Sequence, residues 1–124
     1  MLIKSVLGKR PLWGKDCFFA DNATIIGDIV IGDFCSIWFN TVIRGDVNKI
    51  RIGNNVNIQD GSVIHATYKK SSTSVGNYVS VGHNAIIHGC TIDEVEKIIE
   101  KKLQPIFSNK FKLDEKKENI ITLY

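Results

Sequence analysis

An aliphatic or aromatic residue returns at every sixth position through most of this chain, and that period constrains the fold more than any other feature. The run is Phe19, Ile25, Ile31, Ile37 and Ile43. After three extra residues, Lys49 to Arg51, it resumes at Ile52, Ile58 and Ile64, breaks for five residues around Lys70 to Ser74, and resumes at Val75, Val81 and Ile87. Four positions after every anchor but Ile64 sits a second, mostly small residue: Ala23, Ile29, Cys35, Thr41, Val47, Val56, Ser62, Val79, Ala85 or Thr91. Glycine often follows the anchor directly, at Gly32, Gly53, Gly76 and Gly82. A helix would repeat at about 3.6 residues and a half-buried strand at about 2. A period of six with small partners describes a short strand and a tight turn, so coiled that each side buries one anchor. Three sides close one coil, and the sum is a triangular parallel β-solenoid. The eleven anchors make fewer than four coils. The pattern does not set the hand, and parallel crossovers are usually right-handed.

Composition changes sharply at the end of the repeat. Residues 1–92 hold all ten glycines, all three histidines and no glutamate, whereas residues 93–124 hold five glutamates, seven lysines and no glycine. A hexad beginning at 93 would place Asp93 where an aliphatic belongs. Beyond it, Val95, Ile98, Ile99 and Leu103 share one face of a helix. Asp93 can cap that helix, Glu94 and Glu96 favour its first turn through the helix dipole, and Pro105 ends it. The expected organisation is therefore a β-solenoid domain over 1–92 and a short C-terminal helix and tail over 93–124. The helix would cover an open solenoid end, as terminal repeats require.

Charge and length exclude several functions. A net charge of +3 with scattered basic residues lacks the clustered face that nucleic acid needs. No apolar run is long enough for a signal peptide or a membrane span, so a cytoplasmic protein is expected. Three cysteines, Cys17, Cys35 and Cys90, form no paired spacing and read as reduced, structural thiols.

The hexad register also places the histidines. His65 follows anchor Ile64 and His88 follows anchor Ile87, three hexads apart once the break is removed, so they stack on adjacent coils. Adjacent strands lie about 4.8 Å apart, which lets two imidazoles converge on one ion at roughly 2.0–2.1 Å per Zn–N bond. Arg44 belongs to the same column one coil lower. His83, two positions after Val81, falls on a neighbouring side and does not readily reach that pair within one chain. A threefold assembly would bring His83 of one subunit to His65 and His88 of the next. Three neutral nitrogens with an open fourth position are a catalytic rather than a structural zinc pattern.

On these residues the chain resembles the γ-class carbonic anhydrases. The matching stretches are Phe19 to Gly32, Ser36-Ile37-Trp38, Val42-Ile43-Arg44-Gly45-Asp46, Ile52-Gly53 with Asn57-Ile58-Gln59-Asp60, Val63-Ile64-His65, and Val81 to Cys90, together spanning roughly residues 8–92. The resemblance implies a left-handed β-helix and a homotrimer with zinc, or iron(II), at each subunit interface. It implies His65, His83 and His88 as ligands drawn from two chains. It further implies that Arg44, Asp46 and Asp60 form interface ion pairs and that Gln59 lies near the ion and orients its hydroxide. The chain departs from the family at Val47 and Tyr68, where active members carry glutamates, and at Asp93, where the family's solenoid continues.

The implied activity is metal-hydroxide hydration of carbon dioxide to bicarbonate. Zinc lowers the pKa of its water to about 7, and the proton must then reach solvent. Two other functions share the fold. An acyl-CoA-dependent acyltransferase would use a histidine as general base. A non-catalytic trimeric scaffold would keep the metal as a staple, as the missing glutamates favour.

Overall fold

The computed structural model describes residues 1–94, and within them every strand pairing between named strands is parallel. The strands fall on three faces. The first stacks β1 (Leu2–Lys4), the start of β4 (Thr24–Ile31), the start of β6 (Val42–Ile52), β8 (Val63–His65) and β11 (Ile86–His88). Ile3, Ile25, Ile43, Ile64 and Ile87 lie in register along it. The second stacks β2 (Leu12–Trp13), the ends of β4 and β6, β9 (Thr73–Val75) and β12 (Thr91–Ile92), aligning Trp13, Ile31, Ile52, Val75 and Ile92. The third stacks β3 (Phe18–Phe19), β5 (Ser36–Ile37), β7 (Asn57–Ile58) and β10 (Ser80–Val81), aligning Phe19, Ile37, Ile58 and Val81. β4 and β6 each run through a corner and so contribute to two faces.

The solenoid thus has four coils and two sides of a fifth, more than eleven anchors suggested. The addition lies at both ends. Ile3 and Trp13 anchor a first coil, and Ile92 anchors the last strand one residue before the position the hexad count assigned. The expected helix over Val95–Leu103, and the tail after it, lie outside the described residues.

The core is a set of aliphatic columns. Ile25, Ile37, Ile43, Ile58, Ile64 and Val81 are fully buried. At about 1.5–3 kcal/mol for each large aliphatic withdrawn from water, these columns are the main stabilising term. Polar residues enter the interior only with partners: Thr41 Oγ1 donates to Gln59 O at 3.2 Å, Ser62 Oγ to Gly82 O at 2.7 Å, and Thr73 Oγ1 to His65 O at 2.5 Å. Among the described residues no buried side-chain polar atom lacks a partner. No helix there is long and apolar enough to cross a membrane.

The corners explain the two interruptions of the period. Ile29 pairs with Ile50, and Ile50 with Thr73. The extra residues therefore lie between Gly45 and Ile50, not at Lys49 to Arg51, and Ile50 replaces Val47 as the inward residue. Ile50 is 0% exposed and Val47 37%. The second excursion likewise falls before Thr73, where Thr67 and Ser71 bridge antiparallel. Both excursions leave the solenoid at the corner between the first and second faces. In the coil below, that corner is a tight turn at Gly27, whose φ is +86°. A Cβ there would stand 2.3 Å from Gly45 O.

Candidate metal centre

The excursion corner borders the stacked histidines. β8 and β11 hold His65 and His88 in direct register, with ring centroids 5.0 Å apart and planes inclined by 17°. Arg44 continues the column one coil below His65. The first excursion begins immediately after Gly45 and brings Asp46 back against this column. Its Oδ1 lies 2.9 Å from His65 Nε2, and its Oδ2 accepts from Arg44 Nη1 at 2.7 Å. Burial pushes the Asp46 carboxyl upward, but the hydrogen bonds from His65 and Arg44 outweigh it, so the group is held below its ordinary value.

Each histidine has an oxygen against one ring nitrogen. For His65 it is Asp46 Oδ1, for His88 it is Ala66 O at 3.2 Å from Nε2, and for His83 it is Asp60 Oδ1 at 3.4 Å from Nδ1. A ring N–H that donates to carboxylate or carbonyl fixes the tautomer and leaves the other nitrogen's lone pair available. Metal-ligating histidines have this arrangement. The donor set of this chain therefore fits a zinc-type ion in its chemistry.

One chain does not bring the set together. Arg44, His65 and His88 lie on the first face, with Asp46 at the corner beside it. Gln59, Asp60 and His83 lie on the third face and the corner after it: Gln59 N donates to Val81 O at 2.9 Å, and Asn84 N to Asp60 O at 2.9 Å. The His83 side chain is 60% exposed. Among the described residues no three His, Cys, Asp or Glu side chains gather closely enough to hold an ion.

The surrounding corner contains residues that the hexad pattern did not single out. Asn48 Nδ2 donates to Thr67 O at 3.2 Å, tying the two excursions together. Gly89, with φ +58°, packs against Thr67 and Ser71, where a Cβ would meet Thr67 Oγ1 at 2.3 Å. Gly89 N also donates to Thr73 Oγ1 at 2.8 Å. The carbonyl of Ala66 that faces His88 belongs to this turn. Tyr68, at a position where the resemblance would have glutamate, is 63% exposed with Lys69 Nζ 5.3 Å from its ring centroid. Cys90 is exposed.

No family model matches the sequence. Individual relatives do. The chain is 44% identical over 97 residues to γ-carbonic anhydrase 2, mitochondrial, of Arabidopsis thaliana, covering 74% of this chain and 35% of the relative. It is 48% identical over 85 residues to a carbonic anhydrase of Geobacillus kaustophilus, covering 68% and 46% respectively. Among solved structures, a hexapeptide transferase family protein of Anaplasma phagocytophilum superposes with a TM-score of 0.68 at 43% identity, covering 73% of this chain and 52% of that one. The chain thus spans between about a third and a half of the length of these relatives. By these likenesses the chain belongs to the γ-carbonic anhydrase-like family of hexapeptide-repeat proteins.

Proposed function

We propose that the chain is a γ-carbonic anhydrase-like metalloprotein that hydrates carbon dioxide to bicarbonate as a homotrimer. The observation that carries this reading is the stacked pair, His65 and His88, each with one ring nitrogen held by an oxygen. His83 of a neighbouring subunit completes the ligand set, which is why it stands on a different face with its own acceptor, Asp60. A bound zinc or iron(II) supplies a water acidic enough to serve as nucleophile near neutral pH.

The chain's own residues then have distinct tasks. Asp46 accepts from His65 and holds its ring; Arg44 holds Asp46. Asp60 does the same for His83, and Arg44, Asp46 and Asp60 contribute ion pairs at the subunit interface. Gln59, one residue before Asp60, orients the reacting oxygen through its side-chain amide. Val47 and Tyr68 offer no carboxylate to carry the released proton to solvent, so buffer must do this work.

Metal content, mass and subunit mixing test the assembly together. A trimer with one divalent ion per subunit is expected by light scattering and elemental mass spectrometry. Mixed trimers of His83→Ala chains with His65→Ala/His88→Ala chains should regain ions that neither variant holds alone. A mixture that binds no more metal than its parts would end the shared-site reading.

A scaffold that keeps the metal as a staple is favoured by one observation. Val47 and Tyr68 stand exposed where a proton-carrying glutamate would serve. Slow hydration that rises with added imidazole supports the enzyme; no hydration by a fully loaded trimer at any buffer concentration supports the scaffold. The transferase description of one structural relative raises an acyl-CoA reaction as the other alternative, and acyl-CoA binding without bound metal would favour it.

A further inference from the structure

The solenoid carries a second pair of stacked, chemistry-bearing residues, on the inside and away from the histidines. Phe18 and Ser36 are register partners, and Phe18 N donates to Cys35 O at 2.8 Å, so Cys17 and Cys35 occupy the same position on the first and second coils. In the coils above, Val56 and Val79 continue the column, which makes these the two thiols of the stack. Their Sγ atoms make equivalent contacts, Cys17 with Gly32 O at 3.2 Å and Cys35 with Gly53 O at 3.1 Å. Neither is in a disulfide. Neighbouring parallel strands lie about 4.8 Å apart, inside the Cα separation of roughly 4.4–6.8 Å that a disulfide spans.

We propose that Cys17 and Cys35 are a redox-active pair whose disulfide staples the first coil to the second. Cys17 is half-buried and within reach of a small oxidant, while Cys35 is 1% exposed. With a low-molecular-weight disulfide such as oxidised glutathione, Cys17 loses its proton and attacks one glutathione sulfur. A Cys17–glutathione bond forms, the glutathione S–S bond breaks, and one glutathione thiolate leaves. Cys35 then loses its proton and attacks Cys17 Sγ, expelling the second glutathione. Two protein thiols are oxidised to one disulfide, and one glutathione disulfide is reduced to two thiols. Burial pushes the Cys35 thiol up to about 11, and the Cys17 thiol beside it opposes its ionisation further. The closing step is therefore slow at neutral pH and quickens as pH rises.

The position gives the bond its consequence. The first coil is the outermost one, paired on one side only among the described residues. Its Leu2, Leu12 and Phe18 are 49%, 62% and 45% exposed. A cross-link closing one coil removes freedom from the unfolded chain and ties this one-sided coil to its neighbour.

The test uses the full chain with Cys90→Ser, which removes the exposed third thiol. After incubation with oxidised glutathione at pH 8.5, acid quench, denaturation and alkylation, trypsin releases residues 16–44 as one peptide, because neither Lys nor Arg lies between Lys15 and Arg44. That peptide is expected two hydrogens lighter and unalkylated, with the melting midpoint raised by roughly 5–15 °C and restored by dithiothreitol. Cys17→Ala in the same background should abolish both changes. A peptide that takes up two alkyl groups, or retains glutathione without closing, overturns the proposal. So does a disulfide that forms without moving the midpoint.

Discussion

Asp46 reaches His65 only because the chain leaves the solenoid between them and returns. Its carboxylate lies 2.9 Å from His65 Nε2 although the two residues are nineteen positions apart and on different coils. The same carboxylate takes Arg44 Nη1 at 2.7 Å. A single side chain thus connects the arginine of one coil to the histidine of the next.

Removing the charge of Asp46 should loosen the His65 ring without removing a ligand. Loss of such an outer partner typically costs 10–100-fold in metal affinity. Asp46→Asn is expected to weaken zinc binding to that extent in a competition titration against a chromophoric chelator. An unchanged affinity would dissociate Asp46 from the centre.

The same carboxylate predicts an acid limb in the metal-free protein. Its folded value lies below the usual 3.8, because the bonds from His65 and Arg44 outweigh burial. A depressed carboxylate stabilises the fold above its unfolded value, and the contribution is lost as pH falls through the folded value. In chelator, thermal midpoints of the native chain should therefore fall more steeply below about pH 4 than those of Asp46→Asn. Parallel curves for the two proteins would show that the contact does not persist in solution.

Much of this was legible in the residues themselves. A six-residue period fixes which side chains stack, so His88 over His65 and Arg44 below them followed from counting, and the register agrees at each step. The same count put His83 on another side, where it stands. The first coil was harder to read because Trp13, although six residues before Phe19, is exposed, and Ile3, half-buried, stands ten residues before Trp13 and out of period. The excursion boundaries were misread for a different reason. Val47 and Ile50 are both aliphatic, and periodicity alone cannot say which one turns inward once extra residues intervene. The contact between Asp46 and His65 depends on that excursion and left no mark in the spacing.

The buried thiol predicts an alkaline limb. Cys35 is raised from 9.0 to about 11, chiefly by desolvation. A group raised in the folded state costs nothing below its unfolded value, and stability is lost as pH rises through the window between the two. Under reducing conditions stability should decline between about pH 9 and pH 11, and Cys35→Val should flatten that decline. Cys35 should also resist alkylation in the native chain at pH 8, while the exposed Cys90 reacts.

The reassignment of the inward residue gives the sharpest test of the fold. Ile50 lies in register with Ile29 and Thr73 and is fully buried, whereas Val47 sits on the excursion and is 37% exposed. Ile50→Ala removes side-chain packing from a closed column, for which about 2–5 kcal/mol of stability is the usual loss. Ile50→Asp adds the cost of an unpaired charge among aliphatics and should prevent folding. Val47→Asp changes an exposed position and should move stability by no more than about 0.5 kcal/mol. Urea titrations of the three variants decide it. If Val47→Asp unfolds the chain while Ile50→Ala is silent, the corner follows the unbroken hexad count, with Val47 turned inward and the register from Ile50 to Ile52 displaced.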